Sequence, residues 1–167
     1  NYNDFKNYFN LFRLELLDLK QRGIITKIGV SLHSNKEMND VLKNKNIDLI
    51  QLPFNLFDNN TKRQKMVLKA KKHGIEIHTR STFLQGLFFM DIDSLQGKLK
   101  VLKKYLEKLK KLVSKEKINN LALNYAYSNP YIDAVLIGVD NIEQLKNNIS
   151  CINNNEFNHM NSNIDSI

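Results

Sequence analysis

Cysteine is nearly absent. Cys151 stands alone in 167 residues, so no internal disulfide can form, and the chain fits a reducing cytoplasm. The four histidines, His33, His73, His78 and His159, have no metal-ligand spacing, and only one cysteine exists to join them, so no metal site is expected. No apolar run approaches the roughly 18 residues that a membrane span needs. Residues 1–10, NYNDFKNYFN, have neither a basic start nor an apolar stretch, so no signal peptide is expected. The first residue is Asn rather than Met, as expected of a fragment or a processed product. Neither GxGxxG nor a Walker A pattern occurs.

What is present reads as one globular domain or a large piece of one, with 42% hydrophobic and 25% charged residues. The formal net charge of +8 invites a nucleic-acid reading, because Lys and Arg neutralise phosphates. The charge is spread along helix faces instead of gathered in one motif, which fits a solubility role. No nucleic-acid partner is expected.

Hydrophobic periodicity organises the chain. Leu11, Leu14 and Leu16/Leu17 recur at helical spacing over 5–22, and Gly23 ends the pattern. A short strand, Thr26–Ser31, follows. Ser34 or Asn35 caps a helix to about Lys43. Ile47–Leu52 is a second strand, broken by Pro53. A helix over 60–72 turns Met66, Val67 and Ala70 inward and stops at His73-Gly74. Ile75–Thr79 is a third strand, and 80–97 a long loop. Leu99, Leu102, Leu106, Leu109 and Val113 share one face of a helix over 98–113. Another helix spans 117–128, a fourth strand covers Ala134–Ile137, and a helix over 141–150 closes the fold. Residues 152–167 are Asn-rich and polar, and are expected to form a loose tail after a folded unit at 1–151. Alternating strands and helices predict an α/β fold with parallel strands and right-handed crossovers. Periodicity leaves open a small doubly wound sheet or half of an eight-stranded barrel.

Four segments carry a family resemblance. They are Leu19-Lys-Gln-Arg-Gly-Ile-Ile-Thr-Lys-Ile-Gly-Val-Ser31, Asp48-Leu-Ile-Gln-Leu-Pro-Phe-Asn-Leu-Phe-Asp58, Gly74-Ile-Glu-Ile-His-Thr-Arg-Ser-Thr-Phe-Leu-Gln-Gly-Leu87 and Ile137-Gly-Val-Asp-Asn-Ile-Glu-Gln-Leu-Lys-Asn-Asn148. In order and spacing they resemble consecutive strand-and-loop signatures of the aldo-keto reductases over about residues 11–150. The resemblance implies an α/β half of a (β/α)8 TIM barrel, strands five to eight, with four parallel strands and flanking helices. Active-site residues of such barrels lie at the C-terminal ends of strands.

The family's site positions carry over one at a time. Ser31 and Gln51 stand where the family holds the nicotinamide carboxamide, although Leu32 replaces a frequent Asn partner. Arg80 stands where many relatives stack an aromatic on the nicotinamide ring. Ser81 and Phe83 match residues around the cofactor pyrophosphate. Gly138 and Gln144 replace the Lys or Arg that NADPH-preferring relatives offer to the 2′-phosphate, and Asn148 matches an adenine-binding Asn. The implied cofactor is therefore NADP(H) or NAD(H), with weak discrimination between them. The family's catalytic Asp, Tyr, Lys and His come from strands one to four, so no catalytic residue is assigned here.

Each position also has a plainer reading. Ser31 can cap a turn, Gln51 can satisfy a sheet end, Arg80 can join a surface ion pair, and Gly138 can serve a turn. The resemblance implies the C-terminal portion of an NAD(P)H-dependent, cytoplasmic oxidoreductase acting on an aldehyde or ketone. Bacterial members with Arg-Ser-x-Phe-Leu-Gln-Gly are linked to surface polysaccharides, which implies a sugar-like carbonyl. The alternatives are a non-catalytic accessory or remnant protein and, behind it, a basic nucleic-acid-binding module. Half a barrel would leave open edges at the strands of Ile28 and Val30 and of Val135 and Ile137, and would leave inward apolar side chains in water. The isolated chain is therefore expected to self-associate or stay partly molten.

Overall fold

The structure is a computed structural model that describes residues 1–153 and 157–167. Asn1 opens the first helix, α1 (Tyr2–Gln21), by accepting from the Asn3 and Asp4 N–H groups at 2.9 and 3.2 Å. Gly23, at φ 72°, follows its C-cap. Strand β1 (Gly29–Ser31) is shorter than the predicted Thr26–Ser31. The cause lies in the next strand's leading residue. The Asp48 carboxylate takes the Ile28 N–H at 2.8 Å, so that donor leaves the ladder.

Helix α2 (Asn35–Val41) starts in a reciprocal capping box between Ser34 and Glu37. Strand β2 (Leu49–Pro53) runs one residue further than predicted, with Pro53 as its last residue, where a missing N–H costs least. Helix α3 (Asn60–Lys72) has the predicted bounds and is stopped by Gly74 at φ 72°. Strand β3 (Glu76–Arg80) leads into 3-10 turns at Leu84–Phe89, Ile92–Ser94 and Gly97–Leu102, where one long loop and the start of a helix were expected. The remaining elements are α4 (Lys103–Leu112), α5 (Ile118–Tyr127), β4 (Ala134–Val135), α6 (Ile142–Asn153) and α7 (Asn161–Asp165).

The strands form one parallel sheet in the order β1-β2-β3-β4, so β1 and β4 are its edges. This is the α/β half-barrel architecture predicted. Its outer face is apolar: Val30, Ile50, Leu52 and Ile77 are buried with Phe9, Val41, Val67 and Ala70 from α1, α2 and α3. A second core joins Phe54, Leu106, Leu109, Leu121 and Tyr125 across α4 and α5. Phe54 and Tyr125 stack with ring centroids 5.4 Å apart.

The concave face departs from expectation. Its residues alternate with the buried ones and are mostly polar: Ser31, Gln51, Glu76, His78 and Arg80, each partly exposed. β1, the strand of Val30, is an edge of the sheet as expected, while the Val30 side chain is buried under the helices. The most exposed large apolar side chains lie on helices instead, with Leu11 at 75%, Leu14 at 71% and Ile142 at 71%.

The stretch 152–167, expected from composition to be a loose tail, is described in part. Residues 152 and 153 complete α6, and 154–156 lie outside the described residues. Phe157, Met160 and Ile164 are buried in the second core despite the polar composition around them. Asn59 donates to the Ile164 carbonyl at 2.9 Å, and Thr61 to the Asp165 carbonyl at 2.6 Å. Three apolar residues spaced for one face are enough to dock a short helical segment.

Candidate functional site

The predicted site residues fall into two neighbouring groups. Ser31 and Arg80 end β1 and β3, and Gln51 lies midway along β2, all three on the concave face. The register pairs Ser31 with Gln51, and Pro53 with Arg80. The Ser31 hydroxyl donates to the Gln51 side-chain oxygen at 3.2 Å. This leaves the Gln51 amide nitrogen without a hydrogen bond among the described residues, as a donor facing the open side of the sheet.

Arg80 is tied to its surroundings. Its guanidinium donates to the Leu32 carbonyl at 3.2 Å and the Ser81 hydroxyl at 3.3 Å, and it lies 3.1 Å from a ring nitrogen of His33. It thus bridges the loops after β1 and β3. Deeper support comes from Arg63, which forks onto Asp58 with Nε to Oδ1 at 2.6 Å and reaches the His33 carbonyl at 2.8 Å. That bidentate pair fixes the loops after β1 and β2 to each other.

The loop from Ser81 is bent by unusual backbone. Ser81, Leu84 and Gln85 have φ of 63°, 47° and 53°, and Gly86 follows at 81°. Three non-glycine residues in the left-handed region within five positions store strain, which persists only where surroundings over-determine it. Between them, the Thr82 hydroxyl is buried and has no hydrogen-bond partner among the described residues. Burying such a hydroxyl unpaired is unfavourable.

The second group lines a cleft of about 490 Å³ beside this loop. Phe83, Gly138, Gln144 and Asn148 are on its wall, with Gln85 and Gly86 from the bent loop. Asn148 is buried and accepts from the Asn119 amide at 3.3 Å. The backbone entering α6 is fixed reciprocally: the Gln144 N–H donates to the Asn141 side chain at 2.9 Å, and the Gln144 side-chain oxygen accepts the Asp140 N–H at 2.8 Å. Gln144 therefore also has a capping task.

Five lining residues are not among the sequence candidates: Gln85, Gly86, Asn119, Asp140 and Asn147. Asn119 sits at the start of α5, far from the motifs in sequence, and nothing local marks it. Gln85, Gly86, Asp140 and Asn147 lie inside the motif segments, where only their neighbours match family site positions. Among the described residues no cluster of His, Cys, Asp or Glu could hold a metal ion. No helix among the described residues is long and apolar enough to cross a membrane.

The fold is part of a (β/α)8 barrel, with a strained loop and a cleft at the C-terminal ends of its strands. The chain belongs to the aldo/keto reductase family, whose model matches residues 3–167. It is similar to an aldo-keto reductase from Bacillus halodurans, with TM-score 0.74, 22% identity, and coverage of 89% of this chain and 53% of that one in its apo form. A holo form of that protein matches equally, at TM-score 0.74. A glycerol dehydrogenase from Gluconobacter oxydans matches at TM-score 0.61 and 22% identity, over 90% of this chain and 52% of that one. The chain thus spans about half the length of these structures. No curated protein matches it at the sequence level.

The site chemistry suits a dinucleotide: an orphaned hydroxyl in a bent loop, a free amide donor at Gln51, and a cleft lined by Phe83, several neutral amides and Asp140.

Proposed function

We propose that this chain is the C-terminal, cofactor-binding half of an NAD(P)H-dependent reductase of aldehydes or ketones, with a sugar-like carbonyl as substrate class. The observation that carries this reading is the strained loop 81–86, with its buried unpaired Thr82 hydroxyl, opening onto the Gly138–Asn148 cleft. When bound, the dinucleotide supplies the hydride. Ser31 and Gln51 act as a pair on the carboxamide: Ser31 fixes the Gln51 oxygen, which orients its amide nitrogen outward as a donor. Arg80, held by Leu32 and Ser81, shapes the rim beside that pair. Ser81 and Phe83 meet the pyrophosphate, while Gly138, Gln144 and Asn148 receive the adenosine end.

The acid that protonates the carbonyl lies outside this chain, and the chain alone is inactive. The unpaired edges of β1 and β4 and the exposed apolar faces of α1 and α6 suit a second half-barrel, so the isolated chain self-associates. The folded unit of this half reaches beyond residue 151 into the docked segment 157–167.

Titration with ADP-ribose, followed by amide chemical shifts, tests the cofactor role. Shifts should concentrate at 81–86 and 138–148. Their absence would remove the cofactor reading. Carbonyl-dependent oxidation of NADH or NADPH by the purified chain should stay at background, and robust turnover would overturn the placement of the acid elsewhere.

A further inference from the structure

The net charge of +8 is not spread evenly along the chain. Residues 97–117 hold nine lysines against Glu107 and Glu116, which leaves 16 cations and 15 anions for all the rest. The fold turns these lysines outward. Leu106 and Leu109 are wholly buried in the second core and fix how α4 lies. The opposite face of α4 carries Lys103, Lys104, Glu107, Lys108 and Lys111, all exposed. In the 3-10 turn ahead of α4, side chains three apart eclipse, so Lys98 and Val101 share a face, and both are exposed. Few of these charges are answered. Lys103 pairs with Asp93 at 3.0 Å, while Lys98, Lys100, Lys108 and Lys111 form no ion pair among the described residues. Lys104 lies 4.8 Å over the Tyr105 ring, which leaves its charge in place. Apolar side chains stand open between the lysines, Val101 at 65% exposure and Leu99 at 39%.

We propose that this lysine face docks on an anionic phospholipid surface, holding the protein at a membrane without crossing it. None of residues 97–117 lines the cleft beside 81–86, so the inference stands apart from the dinucleotide reading. Clustered lysines beside open apolar side chains suit a charged bilayer. The ammonium groups meet lipid phosphates and carboxylates, while Val101 and Leu99 enter the headgroup boundary. The long apolar stem of lysine keeps its charge at headgroup depth as the helix settles. Such attraction acts within about 8–10 Å in ordinary salt, so it needs charge gathered on one face rather than averaged over the molecule. A nucleic-acid backbone would meet the same lysines but would leave Val101 and Leu99 idle. The segment also offers it no arginine and no free aromatic ring to stack on a base. Tyr105, its one aromatic, is half-buried near Phe57, with ring centroids 6.0 Å apart.

A plainer role for the lysines is solubility, which predicts no attachment to any surface. Co-sedimentation of the full chain with lipid vesicles separates the two. Binding should be firm to vesicles of equal parts phosphatidylserine and phosphatidylcholine and absent from phosphatidylcholine alone. It should be lost near 1 M salt, where the screening length is about 3 Å. The triple variant Lys104→Gln, Lys108→Gln, Lys111→Gln should bind roughly 100-fold more weakly, at about fivefold for each lysine. A control triple on α3, Lys65→Gln, Lys69→Gln, Lys72→Gln, removes the same charge from another exposed face and should bind nearly as the parent does. Val101→Ser should weaken binding roughly threefold or more with no change of charge. Circular dichroism of all three should match the parent, because every changed position is exposed. Failure of the folded parent to bind the anionic vesicles overturns the proposal. A loss no larger in the α4 triple than in the α3 control also overturns it, by assigning the binding to net charge. Tight binding to duplex DNA with none to vesicles gives the face to nucleic acid and overturns it as well.

Discussion

The two faces of the sheet obey different rules. The outer face carries Val30, Ile50, Leu52 and Ile77, all buried against α1, α2 and α3. The concave face carries Ser31, Gln51, Glu76, His78 and Arg80, all partly open. One residue of sequence separates each member of one set from a member of the other, because strand side chains alternate. Stability is concentrated on the outer face and chemistry on the concave one. A fully buried parallel sheet would read as unbroken apolar runs, so the polar side chains at alternate positions in Glu76-Ile77-His78-Thr79-Arg80 mark one face as polar.

Adjacent substitutions test this division most sharply. Ile50→Ala should cost about 2–5 kcal/mol, since the side chain is wholly buried and its cavity cannot collapse against neighbouring strands. Gln51→Ala, one position along, should cost at most about 1 kcal/mol, through loss of the Ser31 hydrogen bond. Chemical denaturation of both variants measures the contrast. Similar losses at the two positions would mean that the concave face also carries packing energy.

The docked C-terminal segment gives an intermediate effect. The Tyr125 hydroxyl donates to the Asp165 carboxylate and accepts the Asn60 N–H at 3.0 Å, joining α5, α3 and α7 at one atom. Burial pushes this phenol well above its ordinary range, and Asp165 adds to the rise, so it stays a donor at any working pH. Tyr125→Phe keeps the stacking on Phe54 and removes only the hydroxyl. It should cost about 1–3 kcal/mol by stranding a backbone donor at the start of α3. Limited proteolysis should also cut sooner within 157–167. An unchanged cleavage rate would show that the apolar contacts of Phe157, Met160 and Ile164 hold the segment without the polar latch.

Much of this was legible in the sequence, and the rest failed for identifiable reasons. Helix α3 was read to the residue, because Gly74 and the Val67–Ala70 face agree. Strand β1 was overextended, because Thr26 to Ile28 have strand-like side chains while a carboxylate twenty residues later claims the Ile28 N–H. The Asn-rich composition of 152–167 gives little sign of Phe157, Met160 and Ile164, which are buried in the second core among residues far away in sequence. In the candidate site, Gly138, Gln144 and Asn148, expected from motif order, line one cleft. Asn119 carries no local signal, since it reaches the cleft only when α5 packs against α6. Asp140 lies inside the same motif and lines the cleft beside them.

The smallest expected effect concerns a staple that occurs twice along the sheet. Asp48, just before β2, accepts from Lys20 of α1 at 2.6 Å and from the Ile28 N–H at 2.8 Å. Asp133, just before β4, accepts from Lys71 of α3 at 2.7 Å and from the Ile77 N–H at 2.7 Å. In each case burial pushes the carboxyl up, but the lysine and the backbone donor outweigh it and hold it below the ordinary 3.8. A carboxyl with a lowered folded pKa binds fewer protons folded than unfolded across that interval. Its contribution is therefore complete above about pH 4–5 and is lost as pH falls through the folded value. Both pairs are partly solvated, so each is worth only about 0.2–1 kcal/mol. Asp48→Asn and Asp133→Asn keep an oxygen for the backbone N–H and remove the charge. Together they should lower stability slightly at pH 7 and flatten the fall between pH 5 and 3 in denaturation midpoints. A fall as steep as the parent's would assign the acid limb to the other depressed carboxyls, Glu37 and Glu76 among them, and would leave the two staples as hydrogen bonds whose charge does not matter.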